Sequence, residues 1–361
     1  MFYDPLFWSG KKVFLTGQTG FKGAWLSLWL SFLGAKITGF ALPPATNPNL
    51  FELLQLEQDL QSISGDIRNP SELQQALQNA QPEIVIHMAA QALVRPSYQF
   101  PQETFATNIM GTVHLLEAIR ATPGIRVVLN ITTDKCYENT GQTHAFQENH
   151  PLGGHDPYSA SKACSELVTA SYRDSFFHAD RYTEHGLAIA SARAGNVIGG
   201  GDWSPERLIP DILAAMRQKQ ALVIRHPEAC RPWQFVLEPL QGYLRLIEKL
   251  WQQGPLFNGA WNFGPAPEKT QTVGWIVQEL QKYQPEAEVI LAKGPQPHEA
   301  AFLQLDSSKA RTQLGWTPQL EIEETLAWIM EWHQAHQAGG NMRELTENQI
   351  QKYQKRVSAN S

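Results

Sequence analysis

The sequence predicts an α/β protein: a doubly wound parallel sheet with a smaller C-terminal lobe. Three observations carry this. An apolar run, Val13-Phe14-Leu15, passes through the glycine-rich string TGQTGFKG at 16–23 into apolar residues at helical spacing. Strand-like and helix-like runs then alternate through the first half. The second half is less regular and richer in turn residues.

Phe21, Trp25, Leu28, Trp29 and Phe32 mark the first helix, and Lys36 to Leu42 reads as the second strand. Gln61 to Ser64 is a short third strand. Residues 83–88 and 126–131 have the length and apolar content of buried parallel strands, as does Leu187 to Ala194. Helical patterns at about 71–80, 101–121 and 158–177 lie between them. Beyond the loop Gly199-Gly200-Gly201-Asp202 come a helix at about 208–218 and an arginine- and aromatic-bearing segment, His226 to Trp233. A strand at 259–264 returns to the sheet, followed by helices around 272–284 and 321–336 and a polar tail containing a helix from Glu344 to Lys355. The first domain is expected over 1–192, completed near 234–264, and the lobe over 193–233 and 265–361.

The 361 residues are 42% apolar and 18% charged, ordinary for a globular chain of one large or two moderate domains. A net charge of −6 without a long basic run argues against a nucleic-acid surface. Cys136, Cys164 and Cys230 have neither disulfide-framework nor zinc spacing. No apolar run is long enough to span a membrane and no signal-peptide pattern opens the chain, so a cytoplasmic, soluble protein is expected.

The order strand, glycine turn, helix is that of a Rossmann-type phosphate site. Gly17 permits the turn, Gly20 lets amides approach a pyrophosphate and Gly23 lets the helix pack closely. Unpaired amides and the dipole at the helix start hold the phosphates. Tyr158 and Lys162 form Y-x-x-x-K on one helix face, with Asp156 as cap and Pro157 in the first turn. Tyrosine ionises near pH 10, so a phenol acting as a base needs about 4 kcal/mol of help to reach neutrality, which a neighbouring ammonium can supply. Thr132-Thr133-Asp134-Lys135 follows the strand at 126–131, at the sheet edge where such folds bind ligands. Asp66, after the third strand, suits an adenine amino group, whereas a surface turn is the alternative. The acid usual after the second strand is absent, since that region reads Gly39-Phe40-Ala41-Leu42-Pro43-Pro44. The residues alone therefore leave NAD and NADP open, with Lys22 as an added cation beside the turn. Arg193 to Asn196, Arg207 and Arg231 are candidates for a nucleotide diphosphate, because the guanidinium fork matches phosphate oxygens. His298-Glu299 offers too few ligands for a metal, and none is expected.

Together TGQTGFKG (16–23), GDIRN (65–69), HMAAQA (87–92), TTDK (132–135), YSASK (158–162) and RAGNVIGGGDW (193–203) resemble the extended short-chain dehydrogenase/reductase superfamily over essentially the whole chain. GFKG, TTDKCYEN and RPWQ most resemble its CDP-glucose 4,6-dehydratases, while relatives acting on dTDP-glucose carry Asp-Glu in place of Asp134-Lys135. Gln18 departs from the histidine of that subfamily. The resemblance implies NAD as cofactor, held by Gly17, Gln18, Gly20, Phe21, Lys22, Gly23, Asp66, Ile67, Ala89, Ala90, Asn108, Tyr158 and Lys162. It implies CDP-glucose as substrate, held by Asn196, Arg207 and Arg231. Tyr158, with Thr133 and Lys162, would deprotonate the C4 hydroxyl; Lys135 would remove the C5 proton and Asp134 protonate the leaving C6 hydroxyl. It also implies a homodimer through the helices near 101–121 and 158–177. The second of these carries Leu167, Val168, Tyr172, Phe176 and Phe177.

Overall fold

Alternation along β1 (Lys12–Thr16) sets the layering, because successive strand side chains point to opposite faces. Val13 and Leu15 join one buried cluster and Phe14 the other. The computed structural model describes residues 6–141, 144–266, 269–283, 288–292 and 303–359; His298-Glu299 lies outside them. β2 (Lys36–Ala41), β3 (Gln61–Ser64), β4 (Ile84–His87), β5 (Val127–Ile131) and β6 (Ala188–Ala194) follow. Next come the short strands β7 (Val197–Ile198), β8 (Leu222–Ile224), β9 (Cys230–Arg231) and β10 (Gln234–Phe235). β11 (Gly259–Phe263), β12 (Gln271–Thr272) and β13 (Val289–Leu291) complete the set. Seven strands form one sheet in the order β11-β6-β5-β4-β1-β2-β3, every pairing parallel. The remaining strands pair in twos, β10 with β7, β12 with β9 and β13 with β8.

The helices are α1 (Phe21–Phe32), α2 (Leu50–Leu53), α3 (Pro70–Ala80), α4 (Val94–Gln99), α5 (Pro101–Phe105), α6 (Gly111–Arg120) and α7 (Pro157–Phe176). After them come α8 (Tyr182–His185), α9 (Leu208–Gln218), α10 (Leu237–Gln253), α11 (Val273–Gln281), α12 (Ile322–Gln337) and α13 (Met342–Ala359). Phe14, Val85 and Val128 pack against α3 and α6, whereas Leu15, Ile86 and Leu129 share the larger core with α1, α10, α12 and α13. α13 lies on α1, with the rings of Trp29 and Tyr353 edge to face at 6.0 Å. Among the described residues no helix is long and apolar enough to cross a membrane.

Two helices differ from the sequence pattern. The single helix expected at 101–121 is α5 and α6 joined by a wide π turn at Ala106–Met110. There Asn108 is held by contacts distant in sequence: its amide donates to Gln91 O at 3.0 Å and Ser161 Oγ at 2.8 Å, and accepts from Gln91 N at 2.9 Å. α10 is not among the expected helices, although Leu237, Leu240, Leu244, Ile247 and Leu250 have helical spacing and are buried.

Candidate active site

A cleft of roughly 720 Å³ opens at the carboxyl ends of the sheet strands. At its floor Gly17 takes φ +81°, and a Cβ there would fall 2.7 Å from Ala89 N. A Cβ on Gly23 would fall 2.0 Å from Gly17 O, so the turn closes on the helix only with glycine. Gly20 precedes α1 and offers no side-chain cap, leaving the first-turn amides, those of Phe21, Lys22 and Gly23, for an anion. Thr16 Oγ1 accepts from Met88 N and Ala89 N, both at 3.1 Å, which fixes Ala89 and Ala90 on the cleft wall.

Not every residue assigned to the cofactor faces the cleft. Gln18 is fully buried, donates to Ser62 Oγ at 3.3 Å and lies against Gly39, where a Cβ would meet it at 2.5 Å. Asn108 supports the loop at Gln91 from behind. Asp66 and Ile67 do line the cleft. Arg68, donating from N at 2.9 Å and Nε at 2.8 Å, holds the Asp66 carboxyl below its ordinary range.

Asp156 caps α7 by accepting from Ser159 N at 2.9 Å, and Pro157 occupies the first turn. This places Tyr158 beside Thr133 on the cleft wall. Burial lifts the Tyr158 phenol to about 12, against the neighbouring Thr133 hydroxyl and the charge of Arg207. Lys162 is lowered to about 8 by burial, against the pull of Glu166, and its Nζ donates to Ile131 O at 3.1 Å. Lys162 stands one helical turn from Tyr158 on the same helix face, its Nζ turned to the Ile131 carbonyl. Asp134 is buried, and burial raises its carboxyl. Oδ1 accepts from Thr133 Oγ1 at 3.0 Å, while Oδ2 has no hydrogen-bond partner among the described residues. A buried carboxyl with one unsatisfied oxygen is suited to hold a proton and hand it over. Lys135 is half-buried on the same wall, its amide on Thr133 Oγ1 at 3.3 Å.

Asn196, Arg207 and Arg231 also line the cleft. Arg207 donates to Asp202 Oδ2 at 3.0 Å, and Arg231, nearly buried, donates to Cys230 O at 2.8 Å. Gly195 packs closely beside them: a Cβ there would fall 2.5 Å from Pro232 and 3.1 Å from Asp134 Oδ2.

Arg193 corrects the sequence reading. It turns into the core, pairing with Glu166 through Nε at 2.9 Å and Nη2 at 3.0 Å and reaching the Tyr137 hydroxyl at 2.7 Å. Sequence reasoning does not single out Glu166, although it stands one helical turn after Lys162. His87, given no role from sequence, bridges Thr16 and Thr112 at 2.8 and 3.3 Å, and burial drives it to about 3, hence neutral.

A parallel seven-strand sheet, an uncapped glycine turn and a Y-x-x-x-K helix lining one cleft define an extended short-chain dehydrogenase/reductase fold. The family model described as GDP-mannose 4,6 dehydratase matches residues 14–329, and the chain belongs to that family. It is 49% identical over 351 residues to a CDP-glucose 4,6-dehydratase of Salmonella typhimurium, covering 97% of this chain and 98% of that one. A dTDP-glucose 4,6-dehydratase of Xanthomonas campestris pv. campestris is 27% identical, covering 90% and 93%. Among solved structures, a double mutant of the Streptomyces venezuelae dTDP-glucose 4,6-dehydratase DesIV with NAD bound superposes with TM-score 0.77 at 22% identity, over 91% of this chain and 98% of that one. A Thermotoga maritima UDP-glucose 4-epimerase superposes with TM-score 0.75, also at 22%, over 90% and 99%. Dehydratase and epimerase therefore share the fold, and the site must separate them.

Proposed function

We propose that the chain is a CDP-glucose 4,6-dehydratase that converts CDP-D-glucose to CDP-4-keto-6-deoxy-D-glucose and water. The observation that carries this is the buried Asp134, one oxygen unpaired, next to Lys135 and to the Thr133–Tyr158 contact. The 49% relative supplies the nucleotide. The glycine cradle and the uncapped turn of α1 fit a dinucleotide, and NAD, when bound, supplies the two-electron acceptor at C4 and donor at C6. Asp66, Ile67, Ala89 and Ala90 would flank it, with Asn108 acting through Gln91.

Tyr158 takes the proton of the C4 hydroxyl, with Thr133 beside it and Lys162 close by on the same helix face. The C4 ketone acidifies C5, whose proton passes to Lys135. Asp134 protonates the C6 hydroxyl, which leaves as water as the C5–C6 double bond forms. The proton then returns to C5 as C6 is reduced. Oxidation alone needs neither Asp134 nor Lys135, whereas elimination needs an acid on the oxygen and a base at C5.

Asn196, Arg207 and Arg231 are assigned the nucleotide diphosphate, on the lobe formed by 193–233 and 265–361. A second copy of the chain is assigned to the helices over 101–121 and to α7, where Leu167 is 57% exposed and Phe105, Met110 and Phe176 also face outward; Tyr98 and Phe100, just before them, extend the surface. Val168, Tyr172 and Phe177, counted on that surface from sequence, pack inward instead.

Separate incubation with CDP-, dTDP-, UDP- and GDP-glucose tests the reading. A 4-keto-6-deoxy product from CDP-glucose alone is expected. A 4-epimer with no 6-deoxy product would replace dehydratase by epimerase.

A further inference from the structure

Asp202 lines the same cleft, in the loop between β7 and α9. Its carboxylate divides its two oxygens: Oδ1 accepts from Ser204 N and Oδ2 from Arg207 Nη1, each at 3.0 Å. The Asp202 side chain is 6% exposed and that of Arg207 34%, so the anion is sheltered while the cation stays open to a ligand. The loop itself is held from several sides. Trp25 Nε1 of α1 donates to Gly200 O at 3.0 Å. A Cβ on Gly200 would fall 2.2 Å from the Trp332 ring of α12, and one on Gly201, at φ +80°, 2.5 Å from Leu50 of α2. Trp203 adds an edge-to-face contact with Trp332 at 5.6 Å. Asp202 thus stands on a backbone anchored to α1, α2 and α12.

Arg207 has no such anchor of its own. It precedes α9 with extended backbone, and its side chain does not cap the helix. Among the described residues its guanidinium makes no hydrogen bond except that to Asp202. The other carboxylates nearby are engaged elsewhere. Glu206 takes Arg95 at 3.0 and 3.2 Å and Arg225 at 3.5 Å, and the same two arginines act on Asp211. The Arg207 charge also acts on Lys22 and on the Tyr158 phenol, neither of which offers it an anion at neutral pH. Most of the N–H donors of its fork are therefore left for the cleft.

We propose that Asp202 is a positioning residue for the nucleotide diphosphate, fixing the fork of Arg207 at the cleft before the ligand arrives. This rests on the assignment of Arg207 to the diphosphate above. An arginine left free on a loop loses its rotamer freedom when the ligand orders it, which costs roughly two- to tenfold in affinity. A carboxylate on an anchored loop removes most of that cost beforehand. Its charge also repels a phosphate, and the two effects have opposite signs. Shelter of the carboxylate, with one oxygen turned to Ser204 N, leaves the ordering effect the larger.

Asp202→Asn cuts the pair and keeps the turn: with its carbonyl on Ser204 N, the side-chain amide presents only donors to Arg207. Calorimetric titration of the full chain with CDP, and separately with NAD, reads the consequence. The variant is expected to bind CDP roughly two- to tenfold more weakly, and NAD as the parent does. In an Arg207→Met background the same Asp202→Asn change should cost nothing further, because the group it orders is gone. CDP binding that is unchanged or tighter in Asp202→Asn would overturn the proposal, repulsion then matching or outweighing order. An equal loss in both backgrounds would overturn it too, and so would a loss of NAD affinity, since Asp202 would then hold the cleft itself together. Arg207→Met that binds CDP as tightly as the parent would remove the diphosphate assignment of Arg207, and the proposal with it.

Discussion

Glu166 grips Arg193 with both carboxylate oxygens, at 2.9 and 3.0 Å, and the two side chains are only 4% and 3% exposed. The same carboxylate accepts from the hydroxyls of Thr132 and Ser191. Burial raises Glu166, but the guanidinium and these hydrogen bonds outweigh it and leave the carboxyl below its ordinary range. One ion pair therefore ties α7, a turn after Lys162, to the ends of β5 and β6.

Breaking one side of such a pair leaves a buried charge, which costs about 3–5 kcal/mol. Glu166→Gln should lose that much in urea unfolding, with Glu166→Leu/Arg193→Met recovering part of it. A loss below about 1 kcal/mol would show that the pair does not hold the edge together.

Tyr158→Phe removes one oxygen and keeps the ring. Affinity for CDP-glucose by calorimetry should stay near that of the parent, while turnover falls at least about 100-fold. A tenth of the parent rate would be too much for a lost base.

Asp134→Asn should still oxidise C4, so bound NADH and a 4-keto-hexose accumulate while the 6-deoxy product falls sharply. Lys135→Met should reduce solvent deuterium incorporation at C5. If both variants make product at the parent rate, the pair is only a turn.

Glu238 joins α10 to α13 and to the segment before α12. It accepts from Tyr353 Oη at 2.6 Å, Gln319 N at 2.9 Å and Leu320 N at 2.8 Å. Burial outweighs these bonds and raises it to about 7. The folded state thus binds this proton more tightly than the unfolded chain, and the stability it contributes is present below the unfolded value and lost as pH rises toward 7. Urea midpoints should fall between pH 5 and 8 in the parent and flatten in Glu238→Gln.

Leu167→Glu places a charge on the outward face of α7 and should shift light-scattering mass from dimer to monomer. A parent that is already monomeric removes the proposed interface.

Periodicity and spacing are local, and what depends on them was legible. β3 is read at its observed bounds, β4 and β5 to within a residue, and the turn at Gly17 and the Tyr158–Lys162 pair are where the motifs put them. Side-chain direction depends on partners elsewhere. A glycine motif does not say that Gln18 tucks under β2, and Arg193 looks like a phosphate ligand until Glu166 is seen beside it. The π turn at Asn108 likewise answers to Gln91 and Ser161, which no window around 108 contains.

The contact of Trp29 with Tyr353 also orders events in time. Trp29 belongs to the helix whose first turn is the phosphate site, yet its ring partner leaves the ribosome only after nearly everything else described here. Glu238, which holds Tyr353, also comes late. The flank of α1 that Tyr353 covers stays open until α13 has been made. Domains usually fold from the N-terminal side as they emerge. The helix that carries the phosphate turn is thus among the last of the described elements to be fully covered, and that interval is when chaperones would have most to shield.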